Sequence, residues 1–254
     1  MGECSLLAAS SKNTYDRDGF LVVESLFSAG DLREIRAQVD ALIADPEKPP
    51  PGVTVGREGN TARDRSGSAA RDNSVRSAAF LVRFLPLFQD FARQAKLLEL
   101  VRALIGPHVK VFRDQALFKP PSGQAKPPHQ DQSYFQVEPQ DDLVTAWIAL
   151  DEATAENGCM CYIPGSHKHG IFPVGKDLHR PVHHVPDTGS LTLPEPVSCP
   201  VPAGSIIFHH GCTLHYSEDN RTETWRKAII FHYATTEARS ANKRLNEEIS
   251  LAID

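Results

Sequence analysis

Long apolar runs are missing from this sequence: none approaches the roughly 20 residues that a membrane-spanning helix needs. The opening Met1-Gly2-Glu3-Cys4-Ser5-Leu6 lacks the basic and apolar blocks of a secretory signal, and Leu6 stands where N-myristoylation wants Ser or Thr. Leu251-Ala252-Ile253-Asp254 matches no peroxisomal or retention signal. A strong charge of either sign is missing too. The 27 basic and 32 acidic residues leave a net charge of -5, which argues against nucleic acid as a partner. Cysteines are few, five in all and scattered. Only Cys159 and Cys161 are close, and a C-x-C without a second pair is a poor zinc signature. Reduced, buried thiols in a cytoplasmic protein are the expectation, with no membrane partner.

What is present is an ordinary globular composition: 254 residues, 41% apolar and 23% charged. That is enough chain to bury one continuous core, and 1–254 reads as a single domain. Residues 1–12 read as a loose tail. Gly19-Phe20-Leu21-Val22-Val23 is a short apolar run, expected as a strand. Ser28-Ala29-Gly30-Asp31 has the form of a capping box. Behind it Leu32, Ile35, Val39, Leu42 and Ile43 recur at helical spacing, so a helix is predicted that ends before Asp45-Pro46. A second is predicted from Leu97, Leu98, Val101, Leu104 and Ile105, stopped by Gly106-Pro107. Beyond it, β-rich runs at 109–112, 115–119, 143–150, 160–163, 205–209 and 227–233 suggest a sandwich or barrel. Residues 46–77 and 171–202 are poor in apolar periodicity and are expected to loop over one mouth of that barrel.

The chemistry centres on His129-Gln130-Asp131. If the triplet lies on a strand, alternation points His129 and Asp131 to one face, close enough to share a metal. A second imidazole would complete a two-histidine, one-carboxylate facial set that leaves positions open on iron(II). The triplet alone is weak, because 11 His and 32 acidic residues give roughly one such match by chance. Its weight comes from His215, in Gly211-Cys212-Thr213-Leu214-His215-Tyr216-Ser217, and from Arg226, which opens the β-run Arg226-Lys227-Ala228-Ile229-Ile230-Phe231-His232-Tyr233. A dicarboxylic cosubstrate needs a fixed cation for its far carboxylate, and a guanidinium supplies two parallel hydrogen bonds. Ser217, two residues after His215, faces the same way and can donate to that carboxylate.

Asp18-Gly19-Phe20-Leu21-Val22-Val23, the His-x-Asp triplet, Trp147-Ile148-Ala149-Leu150-Asp151, Glu156-Asn157-Gly158-Cys159, Ile163-Pro164-Gly165-Ser166-His167 and the His215-to-Arg226 block occur in that order. Together they resemble the phytanoyl-CoA dioxygenase family over roughly residues 15–233. The resemblance implies a mainly β fold with flanking α-helices, a double-stranded β-helix (jelly-roll, cupin-like) barrel. It implies His129, Asp131 and His215 as iron(II) ligands, Arg226 with Ser217 as the 2-oxoglutarate anchor, and Gln115 and Trp147 along the cosubstrate pocket. Three protein ligands leave three positions on an octahedral metal, two for 2-oxoglutarate and one for O2. The implied reaction is hydroxylation of a small-molecule substrate with release of succinate and CO2, with ascorbate as a stimulant. Halogenases of related architecture have a small residue where Asp131 stands, so the carboxylate argues for hydroxylation or another oxidation.

Other readings sit beside these. A non-catalytic jelly-roll binding protein, or a cupin-like metalloenzyme without 2-oxoglutarate, would keep the fold. Of His209 and His210, adjacent on a strand, at most one faces inward, and a structural role is expected for both rather than a place among the metal ligands. His167 reads as a packing or hydrogen-bonding residue, and His179, His183 and His184 as parts of a solvated loop. Arg57, Arg63, Arg65, Arg71 and Arg76 are interleaved with Glu58, Asp64 and Asp72 and read as a solvated charged loop.

Overall fold

A computed structural model describes residues 11–57, 75–175, 185–248 and 251–253. A first helix, α1, covers residues 11–18. There follow β1 (Phe20–Val23), α2 (Ala29–Ala44), β2 (Thr54–Arg57), β3 (Val75–Ala79), α3 (Leu81–Phe84), α4 (Pro86–Ala92), α5 (Ala95–Ile105), β4 (Val109–Lys119), β5 (Lys126–His129) and α6 (Gln132–Phe135). The second half holds β6 (Val137–Glu138), β7 (Leu143–Ala149), β8 (Met160–Tyr162), β9 (Val197–Cys199), β10 (Ile206–His210), β11 (His215–Ser217), β12 (Arg226–Thr235), β13 (Arg239–Ser240), α7 (Lys243–Glu247) and β14 (Leu251–Ala252). The large sheet runs β1-β10-β7-β12-β4-β3-β2, with β14 also on β4. The small sheet runs β5-β11-β8-β9, and β6 pairs with β13.

Alternation along the strands sorts the side chains into two cores. Val144, Ala146, Ile148, Phe208, Ile229 and Phe231 leave the large sheet on one side and pack with Leu32 and Ile35 of α2 and Leu97 and Val101 of α5. Their neighbours Trp147, Ala149, Ile207, Ala228 and Ile230 leave on the other side and meet Met160, Tyr162 and Cys199 of the small sheet. This second core joins residues of both antiparallel sheets, so the sheets face each other as a double-stranded β-helix. No helix among the described residues is long and apolar enough to cross a membrane.

The capping box forms as expected: Asp31 N–H donates to Ser28 Oγ at 3.2 Å and Ser28 N–H to Asp31 Oδ2 at 2.9 Å. Such a cap contributes about 1 kcal/mol. Burial of Leu32, Ile35, Val39 and Leu42, at roughly 2 kcal/mol each, outweighs it. The cap therefore sets where α2 starts, and packing decides that it forms.

Several expectations need correction. Residues 11 and 12, assigned to a loose tail, are helical, with Lys12 Nζ 2.6 Å from Asp16 Oδ1; residues 1–10 lie outside the described residues. The runs 109–112 and 115–119 are one strand. The intervening charges are matched in place: Arg113 pairs with Glu248 at 3.1 Å, and Asp114 Oδ2 accepts from the Val82 N–H at 3.0 Å. The stretch 46–77 is not all loop, because β2 and the start of β3 lie in it and β3 pairs with β4, Ser77 opposite Leu117. Small residues such as Ser77, Ala78 and Ala79 carry little strand signal; their partner supplies it. Within 171–202, Val174 bridges Pro186 and β9 adds to the edge of β8. Residues 58–74 and 176–184, and with them His179, His183, His184, Arg63, Arg65 and Arg71, lie outside the described residues.

Candidate active site

The small sheet brings the two predicted imidazoles together. His129 ends β5 directly opposite His215 at the start of β11, with ring centroids 4.1 Å apart. Asp131 joins them by a route other than the one expected. The strand stops at His129, and Asp131 has helical angles, φ -60 and ψ -37, as the cap of α6. A turn, not strand alternation, aims its carboxylate. Gln130 holds that turn, donating to the carbonyls of Gly170 (2.8 Å) and Cys212 (2.6 Å) and accepting from the Phe172 N–H at 2.7 Å. One potential ligand atom from each of His129, Asp131 and His215 lies within 4.8 Å of the others, and all three residues are buried.

Hydrogen bonding fixes which atoms face the shared point. His129 Nδ1 lies 2.9 Å from the Pro127 carbonyl, and His215 Nδ1 lies 2.9 Å from the Thr213 carbonyl. A carbonyl only accepts, so each Nδ1 carries a proton and Nε2 is the atom left to offer a metal its lone pair. Burial, with His215 and Lys126 nearby, holds the His129 imidazole well below its usual pKa and hence neutral.

On Asp131 the Oδ2 atom is taken, accepting from Thr145 Oγ1 at 2.6 Å and from His209 Nε2 at 3.0 Å. Oδ1 faces His215 Nε2 at 3.8 Å. Behind Thr145 stands His232, whose Nδ1 donates to Thr145 Oγ1 at 2.8 Å. Behind His209 stands the Tyr162 hydroxyl, 3.1 Å from Nδ1. Burial drives both His209 and His232 down to about 4, so each is neutral near pH 7 with one ring proton to give. Burial alone would raise the Asp131 pKa, but the hydrogen bond from His209 holds it well below the usual carboxylate range. The cluster thus presents two nitrogen lone pairs and one ionised oxygen, the donor chemistry of a first-row divalent metal such as iron(II).

Arg226 opens β12 and is 3% exposed. Its guanidinium lies 5.3 Å over the Trp147 ring, and its Nε and Nη1, like Trp147 Nε1, have no hydrogen-bond partner among the described residues. Burial, and then Arg76, pull its pKa down to about 9, so it stays cationic at neutral pH. A buried cation with orphaned donors is costly unless an anion completes it. Ser217, also buried, has its Oγ 2.9 Å from Lys119 Nζ. All these groups, with Gln115, line one cavity of about 410 Å³, except Lys119, which lies behind Ser217.

The structure therefore gathers every residue assigned to the metal or the cosubstrate: His129, Asp131 and His215 at one point, and Arg226, Ser217, Gln115 and Trp147 along the same cavity. As expected, one of the adjacent histidines turns inward. His209 reaches Asp131, while His210 turns to Asp141 at 3.1 Å. His167 bonds the Asp16 carbonyl at 3.3 Å. The solvated-loop reading is overturned for two arginines. Arg57 and Arg76 line the cavity, Arg57 paired with Glu47 and Arg76 donating to the Gln124 carbonyl at 2.9 Å. Sequence reasoning missed Lys119, Thr145 and His232. Parity held the signal for two of them: His232 shares alternation with Arg226 on one strand, and Thr145 with Trp147 on another. Cys159, Cys161, Cys199 and Cys212 are free and buried.

A family model, Phytanoyl-CoA dioxygenase (PhyH), matches residues 15–228. The peroxisomal phytanoyl-CoA dioxygenase of Rattus norvegicus is 28% identical over 248 residues, covering 92% of this chain and 70% of the relative. Among solved structures, the non-heme alpha ketoglutarate dependent carbocyclase SnoK from nogalamycin biosynthesis aligns with TM-score 0.74 at 21% identity, covering 99% of this chain and 95% of its own. The epimerase SnoN, in complex with Fe3+, alpha ketoglutarate and nogalamycin RO, aligns with TM-score 0.71 at 23% identity, covering 95% and 90%. At these identities the structural likeness is one of fold.

Proposed function

Because the chain belongs to the phytanoyl-CoA dioxygenase family, whose model spans residues 15–228, we propose that it is a non-haem iron(II), 2-oxoglutarate-dependent dioxygenase that hydroxylates a small organic molecule. The observation that carries this reading is one cavity holding two Nε2 lone pairs and a one-sided carboxylate beside a buried guanidinium with orphaned donors. The complex of SnoN with Fe3+ and alpha ketoglutarate supports iron and the keto acid as the missing pair.

His129, Asp131 and His215 would hold the metal on one face, leaving the opposite face to the cavity. Iron(II) held there would supply, with 2-oxoglutarate and O2, the oxidative decarboxylation to succinate and CO2 that drives oxidation of a substrate C–H bond. The protein's part is positional. Arg226 grips the far carboxylate of the keto acid, with the Ser217 hydroxyl beside it and the Trp147 N–H on the same wall. Leu117, Met160 and Ile230 form apolar walls of the cavity and exclude water from the keto acid. Thr145 and His209 occupy Asp131 Oδ2, so the carboxylate offers the metal one oxygen and leaves the other positions to reactants. Asp131 argues against halogenation, since it fills the coordination site that a halide would need, and so for hydroxylation or another oxidation.

The test is release of CO2 from carboxyl-labelled 2-oxoglutarate by the purified chain with iron(II) and ascorbate, which these enzymes perform slowly even without their main substrate. Release that requires iron supports the reading. Absence of release, together with absence of 2-oxoglutarate binding, favours a jelly-roll module without catalysis. Release of product without any need for the keto acid favours a cupin-like enzyme.

A further inference from the structure

Resting on the assignment of Arg226 and Ser217 to the 2-oxoglutarate carboxylate, we propose that Lys119 is the positioning residue of that anchor, turning the Ser217 hydroxyl toward the bound anion. Lys119 ends β4 opposite Arg226, its partner across the ladder, and is 0% exposed. A fully buried lysine is rare and is held for a reason. Its Nζ donates to Ser217 Oγ at 2.9 Å and to the Glu218 carbonyl. An ammonium has hydrogens to give and no lone pair, so Ser217 is the acceptor in that bond and its own O–H turns elsewhere. Ser217 and Arg226 line the same cavity, which leaves that O–H free to point at the bound anion. Orientation set in advance lowers the ordering cost of binding.

The surroundings are shaped for that ammonium. A Cβ on Gly158 would sit 2.8 Å from Lys119 Nζ and collide with the Glu218 carbonyl, and Gly158 has a φ of +79. Asn157 builds the turn that presents this glycine, accepting from the Thr154 N–H at 2.8 Å and donating to the Glu152 carbonyl at 2.9 Å. On the other side Asn220 Nδ2 donates to the carbonyls of Lys119 (3.1 Å) and Pro120 (2.9 Å), fixing the strand end. The Glu156-Asn157-Gly158 motif touches neither metal nor cosubstrate in the proposed reaction. Its use is to leave room for Lys119.

The experiment measures the 2-oxoglutarate dissociation constant anaerobically on the iron(II)-loaded full chain, for wild type, Lys119→Met, Ser217→Ala and the double variant. Lys119→Met is expected to weaken binding about tenfold, the scale of one charge-assisted hydrogen bond. It should raise KM for the keto acid and leave kcat at saturation, iron affinity and Tm near wild type. The double variant should lose little beyond either single one, because Lys119 acts through Ser217. Lys119→Gln, which keeps a donor, should lose less than Lys119→Met. Unchanged affinity in Lys119→Met, or losses that simply add in the double variant, would overturn the proposal. So would failure of both Lys119 variants to fold, which would assign the residue to the fold alone. A wild type that binds no 2-oxoglutarate sinks the underlying functional reading instead, since that arm alters no residue.

Discussion

The two faces of the large sheet are built from the same strands and do opposite work. On β7, Val144, Ala146 and Ile148 turn to the helices, while Thr145 and Trp147 turn to the cavity. On β12, Ile229 and Phe231 turn outward, and Arg226, Ile230 and His232 turn inward. Both faces are sealed from solvent: Phe231 is 0% exposed and Arg226 only 3%. What differs is what burial demands. An apolar side chain is content with neighbours of the right shape, whereas a buried charge or imidazole must find a specific partner. The outer face holds the fold, and the inner face stores unmet hydrogen-bonding capacity aimed at molecules that come later. A one-residue register slip would exchange the two.

Substitutions on each face test that division, beginning where the effect is largest. His215→Ala on the inner face should lower 2-oxoglutarate turnover at least about 10³-fold, roughly 4 kcal/mol of barrier, with Tm of the metal-free protein within a few degrees of wild type. A comparable fall in Tm would show that the ligand also carries the fold. Phe231→Ala on the outer face should do the reverse. It should cost about 3–5 kcal/mol in denaturant unfolding, yet leave KM for 2-oxoglutarate unchanged below the transition. Arg226→Met should weaken 2-oxoglutarate about 100-fold, about 2.7 kcal/mol, while metal-free stability holds or rises, because a buried unpaired cation is removed. A large loss of stability would reveal a structural ion-pair role for the guanidinium. Thr145→Val should weaken iron(II) affinity about tenfold, the lower end for groups that orient a ligand, measured by competition with a chelator. No change would mean that His209 alone fixes the carboxylate.

The same division explains what could be read from letters. The outer core was legible because Leu32, Ile35, Val39 and Leu42, and Leu97, Leu98, Val101 and Leu104, repeat with helical period. β7, β8, β10 and β12 were legible from their apolar runs, whereas the two- and three-residue strands β9, β11, β13 and β14 were too short to show. Short helices such as α3 and the small-residue strand β3 were not, since their stability comes from neighbours distant in sequence. At the site, His129, Asp131, His215 and Arg226 stood out through order and spacing, although the turn that aims Asp131 did not. Lys119 and Thr145 look ordinary in the sequence. Their roles exist only once β4, β7, β11 and β12 bring them against Ser217 and Asp131.

The central claim is that His129, Asp131 and His215 share one ferrous ion next to a keto acid gripped by Arg226. An anaerobic crystal structure of the chain with iron(II) and 2-oxoglutarate tests it most directly. Expected is a single metal bound by both Nε2 atoms and by Asp131 Oδ1, with the keto acid chelating it and its far carboxylate on Arg226. A metal bound without His215, or a keto acid whose far carboxylate lies away from Arg226, would contradict it.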